Sequence, residues 1–469
     1  MSAAELLGRI AAEAAAKHRC PSIAWGLVEG GVVTASGGVG TLHDGAAPDQ
    51  HTVYRIASMT KSFTSAAVLS LRDEGALSLD VPVADYAPEL AGVRGPAGSA
   101  PITLRRLLSM TAGMATDDAW ADRHLDMTPD EIDHIYADGP FFARLPDDGY
   151  EYSNLGFGMI GRTVLAATGT RVQEHISTRL LGPLGMTSTR WVEPTDLRWA
   201  RPHRTQDDAI VPDVPHPIGD GEIAPMGGLW TTVADLAKWI TWLDAANSDP
   251  AGSIGDGPTL STASRREMQR MHTYVGVTTL ADRTSPAGYG FGLNLRDDAD
   301  LGMVIAHSGG LPGYGTNMRW LKGRSVGVIA LANTTYAPMG ALTLQMLVEM
   351  YGAGLTPPAP TMPAPVLERA AHRLVALLND WTDEAASALF ADNVVLDDAF
   401  ERRAAEAKAL VERHGPIRVL DVQPDSWARG TVRVQANGNP FTITLEVAPL
   451  PAPTEGFVQY YSVREPRLG

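Results

Sequence analysis

Cysteine is almost absent from this chain, since Cys20 is the only one among 469 residues. A single cysteine excludes an internal disulfide and any metal site that needs several thiolates. Long hydrophobic runs are absent too, because no stretch approaches the roughly 18 consecutive apolar residues of a membrane-spanning helix. The stretch from Met1 to Lys17 is interrupted by charges and lacks the apolar segment of a secretory signal. We therefore expect a cytoplasmic protein without a membrane partner.

Positive charge is scarce as well. Acidic residues outnumber basic ones by 54 to 38, which gives a formal net charge of −16, and only five of the basic residues are lysines. Nucleic acids and anionic membranes are recognised by clustered basic side chains. The sequence contains no such cluster, so we expect neither as a partner.

The chain is long and rich in apolar residues. A hydrophobic content of 44% suits a sizeable core, and 469 residues exceed what one core usually organises. Residues 356–365 contain five prolines, which stiffen the chain toward polyproline II. We therefore predict a large domain over 1–355, a proline-rich linker over 356–365 and a small domain over 366–469.

Hydrophobic periodicity predicts a mixed α/β large domain, in which a sheet is built from both ends of the domain and helices lie between them. We predict strands at 22–28 and 32–37, helices at 62–73, 104–110, 129–136, 155–168, 172–181 and 233–245, and strands at 290–295, 303–307, 316–321 and 325–333.

The small domain is predicted to be α+β. We expect helices at 366–379 and 400–414, and strands near 394–396, 417–422, 431–436, 441–447 and 457–463. Asn437-Gly438 is a favourable hairpin turn between two of these strands. This order resembles the NTF2-like arrangement, with a lipocalin-like barrel as the alternative.

Ser58 and Lys61 lie three positions apart, a spacing that puts the ammonium beside the hydroxyl on a helix. A free serine hydroxyl is a weak nucleophile, and an adjacent lysine can help to take its proton. The other interpretation is a solvated helix start in which Ser58 or Thr60 is the cap. Apolar residues spaced along 59–69 predict a buried helix, and a lysine at the head of such a helix favours the catalytic interpretation.

Two later motifs carry further candidate residues. Tyr152 and Asn154 form the only Tyr-x-Asn in the chain, and residues two apart on an extended segment can both face one cleft. His307, Ser308 and Gly309 follow an apolar run, so they are expected at the end of a strand.

Taken together and in this order, the motifs Ser-x-x-Lys, Tyr-x-Asn and His-x-Gly resemble those of the serine β-lactamase and penicillin-binding protein superfamily. The resemblance is to the branch of class C β-lactamases, D,D-peptidases, D-aminopeptidases and β-lactamase-like esterases, and it covers about residues 5 to 350. Segments 102–113, 184–186 and 225–232 are similar to that family as well. The resemblance implies an antiparallel sheet flanked by helices, plus an all-helical region.

The resemblance also implies roles for the motif residues. Ser58 would attack a carbonyl carbon, while Lys61 and Tyr152 would share the work of general base and acid. Asn154 would hold the substrate amide and Lys61, and His307 would face the cleft from the edge strand. Whether neutral Lys61 or a Tyr152 phenolate is the base stays open, because a neutral lysine at pH 7 requires its pKa to fall by about three units.

The backbone N–H groups of Ser58 and Gly310 would form the oxyanion hole. Ser308 and Gly309 would contact substrate beside it. Trp230 and Tyr314 either line the acyl pocket or pack in the core.

One departure from the family bears on the substrate. Many β-lactamases carry Lys-Thr-Gly where this chain has His307-Ser308-Gly309. A permanent positive charge that would hold a β-lactam carboxylate is thus replaced by an imidazole that is mostly neutral at pH 7. Efficient β-lactam turnover is not expected, whereas peptide substrates remain open because related D,D-peptidases use a histidine here.

No cofactor or metal is expected. Asp117-Asp118 and the run Asp122-Arg123-His124 contain metal-binding residue types, but they lack a spacing such as His-x-x-x-His on a helix.

We therefore expect a serine hydrolase that forms a Ser58 acyl-enzyme on a small ester, amide or D-amino-acid peptide. One alternative is a thioesterase or transacylase of the penicillin-binding-protein type that releases or cyclises a peptide bound to a carrier protein. A second alternative is a non-catalytic binding protein on the same fold.

Overall fold

The structure of the chain is a computed structural model that describes residues 1–207, 209–213, 219–248, 260–358, 364–450 and 457–465. The chain divides into two compact units, Met1–Ala359 and Pro360–Gly469. Half of the predicted linker, residues 359–363, lies outside the described residues.

An eight-stranded antiparallel sheet forms the framework of the first unit, in the order β2-β1-β12-β11-β10-β9-β8-β7. The N-terminal strand β1 pairs with the late strand β12, so both ends of the unit build its centre. The strands of the unit are β1 Ser22–Glu29, β2 Val32–Gly40, β3 Tyr54–Arg55, β4 His203–Gln206, β5 Ala209–Pro212, β6 Trp230–Thr231, β7 Thr273–Leu280, β8 Arg283–Tyr289, β9 Asn294–Asp298, β10 Gly302–Leu311, β11 Tyr314–Leu321 and β12 Val326–Ala332.

Helices cover both faces of this sheet. They are α1 Ala3–Lys17, α2 Thr60–Asp73, α3 Val83–Tyr86, α4 Leu104–Leu108, α5 Asp118–Ala121, α6 Pro129–Asp138, α7 Leu155–Thr168, α8 Val172–Ile176, α9 Val233–Ser248, α10 Thr262–Met268 and α11 Met339–Gly352. A π-helical turn, Ser177–Leu181, follows α8, and 3-10 turns lie at Ala57–Met59, Pro88–Gly92 and Ala224–Met226.

The central strand β12 contributes to two cores. Val328 and Ala330 pack with α1 and α11 on one face, while Ile329 and Leu331 pack with α2 and α9 on the other. This alternation follows from the two-residue period of a strand, and continuous burial of β12 is what a strand covered on both faces requires. The predicted mixed α/β fold is confirmed for this unit.

Several elements of the first unit were not predicted, among them β7, β8 and α11. The hairpin between β7 and β8 turns at Ala281 and Asp282, both with positive φ (48° and 60°). Such a turn is normally indicated by Asn-Gly or Asp-Gly. Neither dipeptide occurs at this turn, so the sequence did not predict the hairpin. The predicted strand at 290–295 was misplaced, because β9 begins only at Asn294.

The second unit contains an open four-stranded antiparallel sheet in the order β13-β14-β15-β16. Its elements are α12 Pro365–Asn379, α13 Asp383–Leu389, α14 Asp392–Asp397, α15 Phe400–His414, β13 Ile417–Pro424, β14 Arg429–Ala436, β15 Asn439–Val447 and β16 Val458–Arg464. Its core contains buried residues of α12 and of all four strands. The NTF2-like assignment of this unit stays a prediction.

The strand predicted near 394–396 is wrong, because these residues lie in helix α14. Only Val394 is buried there, whereas Leu396 is 82% exposed. A helix directs only one of these three side chains toward the core, so three consecutive apolar residues were not evidence for a strand here.

Within the described residues, no helix is long and apolar enough to cross a lipid bilayer.

Candidate active site

Ser58 lies in the 3-10 turn that leads into helix α2. The residue before it, Ala57, has a φ of 50°, a left-handed conformation that residues with a Cβ seldom adopt. Backbone strain of this kind persists only where the surrounding structure enforces it, and it is concentrated at functional sites. Ser58 itself is buried, with 8% of the residue exposed.

Lys61, one turn later, is completely buried beside Ser58. Its Nζ donates to Ser58 Oγ at 3.0 Å, to Asn154 Oδ1 at 2.6 Å and to the Met226 carbonyl oxygen at 2.9 Å. These three acceptors satisfy the three donors of an ammonium group. The predicted proximity of Ser58, Lys61 and Asn154 is therefore present in the structure.

The pKa of Lys61 is lowered to about 8, mainly because burial penalises its charged form. The carboxylates of Asp118, Asp122 and Asp117 oppose this effect by attracting the positive charge. Lowering this pKa from 10.5 to about 8 corresponds to about 3 kcal/mol. Lys61 thus titrates close to neutrality.

Asn154 is held in place by two carboxylates on and before helix α5. Its side-chain amide donates to Asp118 Oδ1 at 2.7 Å, which directs its oxygen toward Lys61. Asp117 accepts from the backbone N–H groups of Asn154 and Leu155, both at 2.7 Å, at the start of α7. A carboxylate at a helix N-terminus satisfies otherwise unpaired N–H groups. Asp117 and Asp118 therefore brace the site.

The structure thus gives this acidic run a role that the sequence did not reveal. Among the described residues, no group of three or more His, Cys, Asp or Glu side chains is arranged to hold a metal ion. The Asp-Asp pair was visible in the sequence, but its partner at position 154 is distant along the chain. Met226 was missed as well. It is also distant from Lys61 along the chain, and the group that contacts Lys61 is its backbone carbonyl.

Tyr152 approaches the same pair of residues. Lys61 Nζ lies 4.9 Å from the centre of its ring, and its phenol shares a hydrogen bond with Ser58. Burial raises the pKa of Tyr152 well above 10, and the hydrogen bond with Ser58 only partly offsets this rise. The phenol is therefore protonated at neutral pH.

His307 lies on β10 and is 2% exposed. Its Nδ1 lies 2.6 Å from the Ser308 carbonyl oxygen, so Nδ1 carries the proton. Its Nε2 then accepts from the Tyr289 hydroxyl at 3.3 Å. Burial and the nearby Lys61 charge lower the pKa of His307 to about 3, so this imidazole is neutral.

The three residues after His307 differ in their surroundings. An added Cβ at Gly309 would lie 2.0 Å from the Ile56 carbonyl oxygen, so only glycine allows β10 to approach the turn that carries Ser58. Ser308 faces the opposite side, where its Oγ accepts from Asn317 Nδ2 at 2.9 Å. The prediction that His307 lies on the edge strand is wrong, because β10 lies between β11 and β9 in the sheet. The pairing of β10 with β9 nevertheless ends at Ala306, so His307 and Gly310 lie beyond the β9 ladder.

Trp230 and Tyr314 are both buried, with 5% and 1% exposed. Their rings meet edge to face at 5.6 Å, and the Tyr314 hydroxyl donates to the Ala200 carbonyl. The Arg55 guanidinium lies 5.5 Å from the Trp230 ring, three residues before the nucleophile. The structure thus packs these two predicted pocket residues in the core of the first unit.

The sequence of this chain is similar to those of known proteins. The family model described as Beta-lactamase matches residues 7–349. Esterase EstB of Burkholderia gladioli is 28% identical over 340 residues, which cover 64% of this chain and 83% of that protein.

Two solved structures share the fold. The octameric penicillin-binding protein homologue from Pyrococcus abyssi aligns with a TM-score of 0.64 and 21% identity, covering 96% of this chain and 92% of that one. A D-stereospecific amidohydrolase from Streptomyces sp. aligns with a TM-score of 0.57 and 22% identity, covering 75% and 99%. At these identities the likeness concerns the fold alone.

Proposed function

This chain belongs to the β-lactamase family of serine hydrolases, and we propose that it hydrolyses small uncharged esters through an acyl-enzyme on Ser58. One observation carries the proposal: the buried Lys61 amine lies 3.0 Å from the Ser58 hydroxyl and has a pKa of about 8. At that pKa roughly a tenth of Lys61 is neutral at pH 7, and a neutral amine can accept the serine proton.

Acylation follows from these contacts. Ser58 Oγ forms a bond to the ester carbonyl carbon as its proton moves to Lys61 Nζ, and the carbonyl electron pair moves onto oxygen. The backbone N–H groups of Ser58 and Gly310 donate to that oxyanion. The bond to the leaving alkoxide then breaks, and a proton passes from Lys61, through the Tyr152 phenol, to the alkoxide.

Deacylation repeats the sequence with water as the nucleophile. Water loses a proton to Lys61 and attacks the acyl carbon, and the Ser58 ester bond breaks as Oγ recovers a proton. Asn154 keeps the Lys61 amine directed at Ser58 in both steps, because its own orientation is fixed by Asp118.

Lys61 is a better candidate for the base than Tyr152. Burial disfavours the phenolate and also disfavours the ammonium, so it moves the two pKa values in opposite directions. A neutral lysine facing a protonated tyrosine is the pairing that this environment favours.

The preference for uncharged esters rests on His307. Its imidazole is neutral and its ring nitrogens already contact Ser308 and Tyr289. It therefore supplies no fixed charge for a substrate carboxylate. The similarity to esterase EstB supports an ester as the substrate.

Hydrolysis of D-amino-acid amides is the second candidate, favoured by the shared fold with the D-stereospecific amidohydrolase. The same Ser58 and Lys61 chemistry applies, with an amine as the leaving group. The carrier-protein thioester and the transacylase stay predictions from the sequence, and the names of these relatives do not support them.

A matched substrate panel separates these candidates. We expect kcat/KM for p-nitrophenyl butyrate, divided by its hydroxide-catalysed rate constant, to exceed the same ratio for butyryl p-nitroanilide and for D-alanine p-nitroanilide. L-alanine p-nitroanilide is the control for stereochemistry. A D-specific anilide activity that exceeds the ester ratio would favour the second candidate, and no turnover or adduct with any probe would favour the binding-protein alternative.

The rate of acylation should rise with pH. The charged form of Lys61 cannot accept a proton, and its pKa is lowered to about 8, so kcat/KM for the ester should increase about tenfold per pH unit below 8 and level off above it. Initial rates between pH 5.5 and 9.5 measure this, with Ser58→Ala as the blank for spontaneous hydrolysis. A profile that is flat from pH 5.5 to 8 would contradict Lys61 as the base.

A further inference from the structure

Tyr336 lies between β12 and α11 in a conformation that a bulky residue seldom adopts, with a φ of 52°. The turn is held by neighbouring backbone: the N–H of Tyr336 donates to the Tyr314 carbonyl at 3.1 Å, and that of Thr335 donates to the His203 carbonyl at 2.9 Å. A strained aromatic residue that is fixed in this way has its ring direction determined by the fold.

The Tyr336 side chain makes contacts at both of its ends. A Cβ added to Gly310 would lie 2.7 Å from Tyr336 Cδ1, so the ring rests directly on the glycine assigned to the oxyanion hole. The Tyr336 hydroxyl donates to Asp122 Oδ2 at 2.8 Å. We call this pair of contacts the Tyr336 bridge.

Asp122 belongs to the part of the domain that braces the catalytic lysine. It follows helix α5 directly, and its N–H donates to the Asp118 carbonyl at 3.0 Å. The Asp118 side chain holds Asn154, which in turn accepts from Lys61. The bridge thus joins the oxyanion strand β10 to the segment that positions the base.

The burial of Asp122 distinguishes this bond from an ordinary surface contact. Only 3% of Asp122 is exposed, although 45% of Tyr336 is. Burial and the Asp118 charge raise the pKa of Asp122 to about 7, while the Tyr336 hydrogen bond, Lys61 and Arg123 oppose that rise. A buried carboxyl requires a donor, and Tyr336 supplies one.

We propose that Tyr336 is a positioning residue for acylation, which holds the Gly310 N–H at its distance from Ser58 by bridging β10 to Asp122. The inference rests on the proposed acyl-enzyme chemistry. An oxyanion donor stabilises the transition state only when it is fixed before the reaction, so loosening the strand should lower kcat more than it raises KM.

The bridge should also depend on pH. An ionised carboxylate accepts a phenol hydrogen bond more strongly than a neutral carboxyl does. The titratable and charged groups that interact with Asp122 are Asp118, Lys61, Arg55, Arg123 and Tyr336. The bridge should therefore strengthen as the pH rises through about 7.

Tyr336→Phe tests the inference, because it removes the hydroxyl and keeps the ring. We expect kcat for the ester to fall about tenfold at pH 8.5, with KM within about twofold of wild type. The ratio of wild-type to variant kcat should be smaller at pH 6. The affinity for phenylboronic acid, whose tetrahedral adduct on Ser58 places an oxygen in the oxyanion hole, should fall by a similar factor. Tyr351→Phe, on the 42% exposed tyrosine of α11, is the matched control.

A second variant checks the hydrogen bond itself. In an Asp122→Ala background, which has no side-chain acceptor for the Tyr336 hydroxyl, Tyr336→Phe should cause little further loss, because both changes break the same contact. A Tyr336→Phe enzyme with kcat and boronic acid affinity within twofold of wild type would overturn the inference. Failure of the wild type to form a Ser58 adduct is a separate result, since it overturns the proposed function as well.

Discussion

Replacing Ser58 with alanine should lower kcat for the ester by at least about 10⁴-fold. The variant keeps the fold, because the lost hydroxyl is a small group near the surface of the site, with 8% of the residue exposed. It removes the only atom to which the acyl group would be attached. Intact mass after brief exposure to the ester should show an acyl adduct on the wild type and none on Ser58→Ala.

Ser308→Ala is the matched control for this variant. Ser308 was predicted to contact substrate, but its hydroxyl faces Asn317 on the other side of β10. We expect kcat/KM to stay within about threefold of wild type, as for a substitution away from the reacting atoms. Turnover retained by Ser58→Ala, or an acyl adduct on it, would exclude Ser58 as the nucleophile.

Replacing Lys61 with methionine should lower kcat by about 10² to 10⁴-fold, the range expected for the loss of a general base. Methionine has a similar length and is apolar, so it fills the buried space without a proton-accepting group. The residual activity should lose the rise with pH below 8, because the titrating amine is gone. Steady-state kinetics across pH measure both effects.

The same variant changes how stability depends on pH. The pKa of Lys61 is lowered from 10.5 to about 8 in the folded state, so the unfolded chain binds more protons between these two values. Stability of the wild type should therefore increase relative to Lys61→Met by about 3 kcal/mol as the pH rises from 8 to 10.5. Urea unfolding at several pH values tests this difference.

Lys322→Met is the control for loss of a half-buried lysine outside the site. Burial lowers the pKa of Lys322 as well, and its Nζ donates to the Gln269 carbonyl at 3.1 Å. This variant should alter stability but keep near wild-type kcat. If Lys61→Met retains kcat within tenfold of wild type, Lys61 is not the base.

Much of the catalytic arrangement could be read from short spacings. The three-residue interval from Ser58 to Lys61 produces a 3.0 Å contact, because a helical turn places these side chains together. The apolar periods also located many helices and strands of both units. One element pair that they missed is the β7–β8 hairpin, whose turn at Ala281 and Asp282 lacks glycine.

Other features of the site could not be read in this way. Asp118 was visible as an acidic residue, but its role depends on Asn154, 36 positions away. Trp230 and Tyr314 were candidates for both pocket and core, and packing placed them in the core. No sequence pattern marks a tyrosine whose ring covers a glycine on another strand, as Tyr336 covers Gly310.

The sequence by itself determined the family, the mixed α/β fold of the large unit and the residue types that could carry acyl transfer, because local spacing and hydrophobic period are properties of the chain alone. Only the tertiary structure decided the charge state of Lys61 and His307, the direction of Ser308 and the bridge from Tyr336 to Asp122. These depend on burial and on contacts between distant segments, since the pKa of a side chain and the partner of a hydroxyl are set by what the fold places around them.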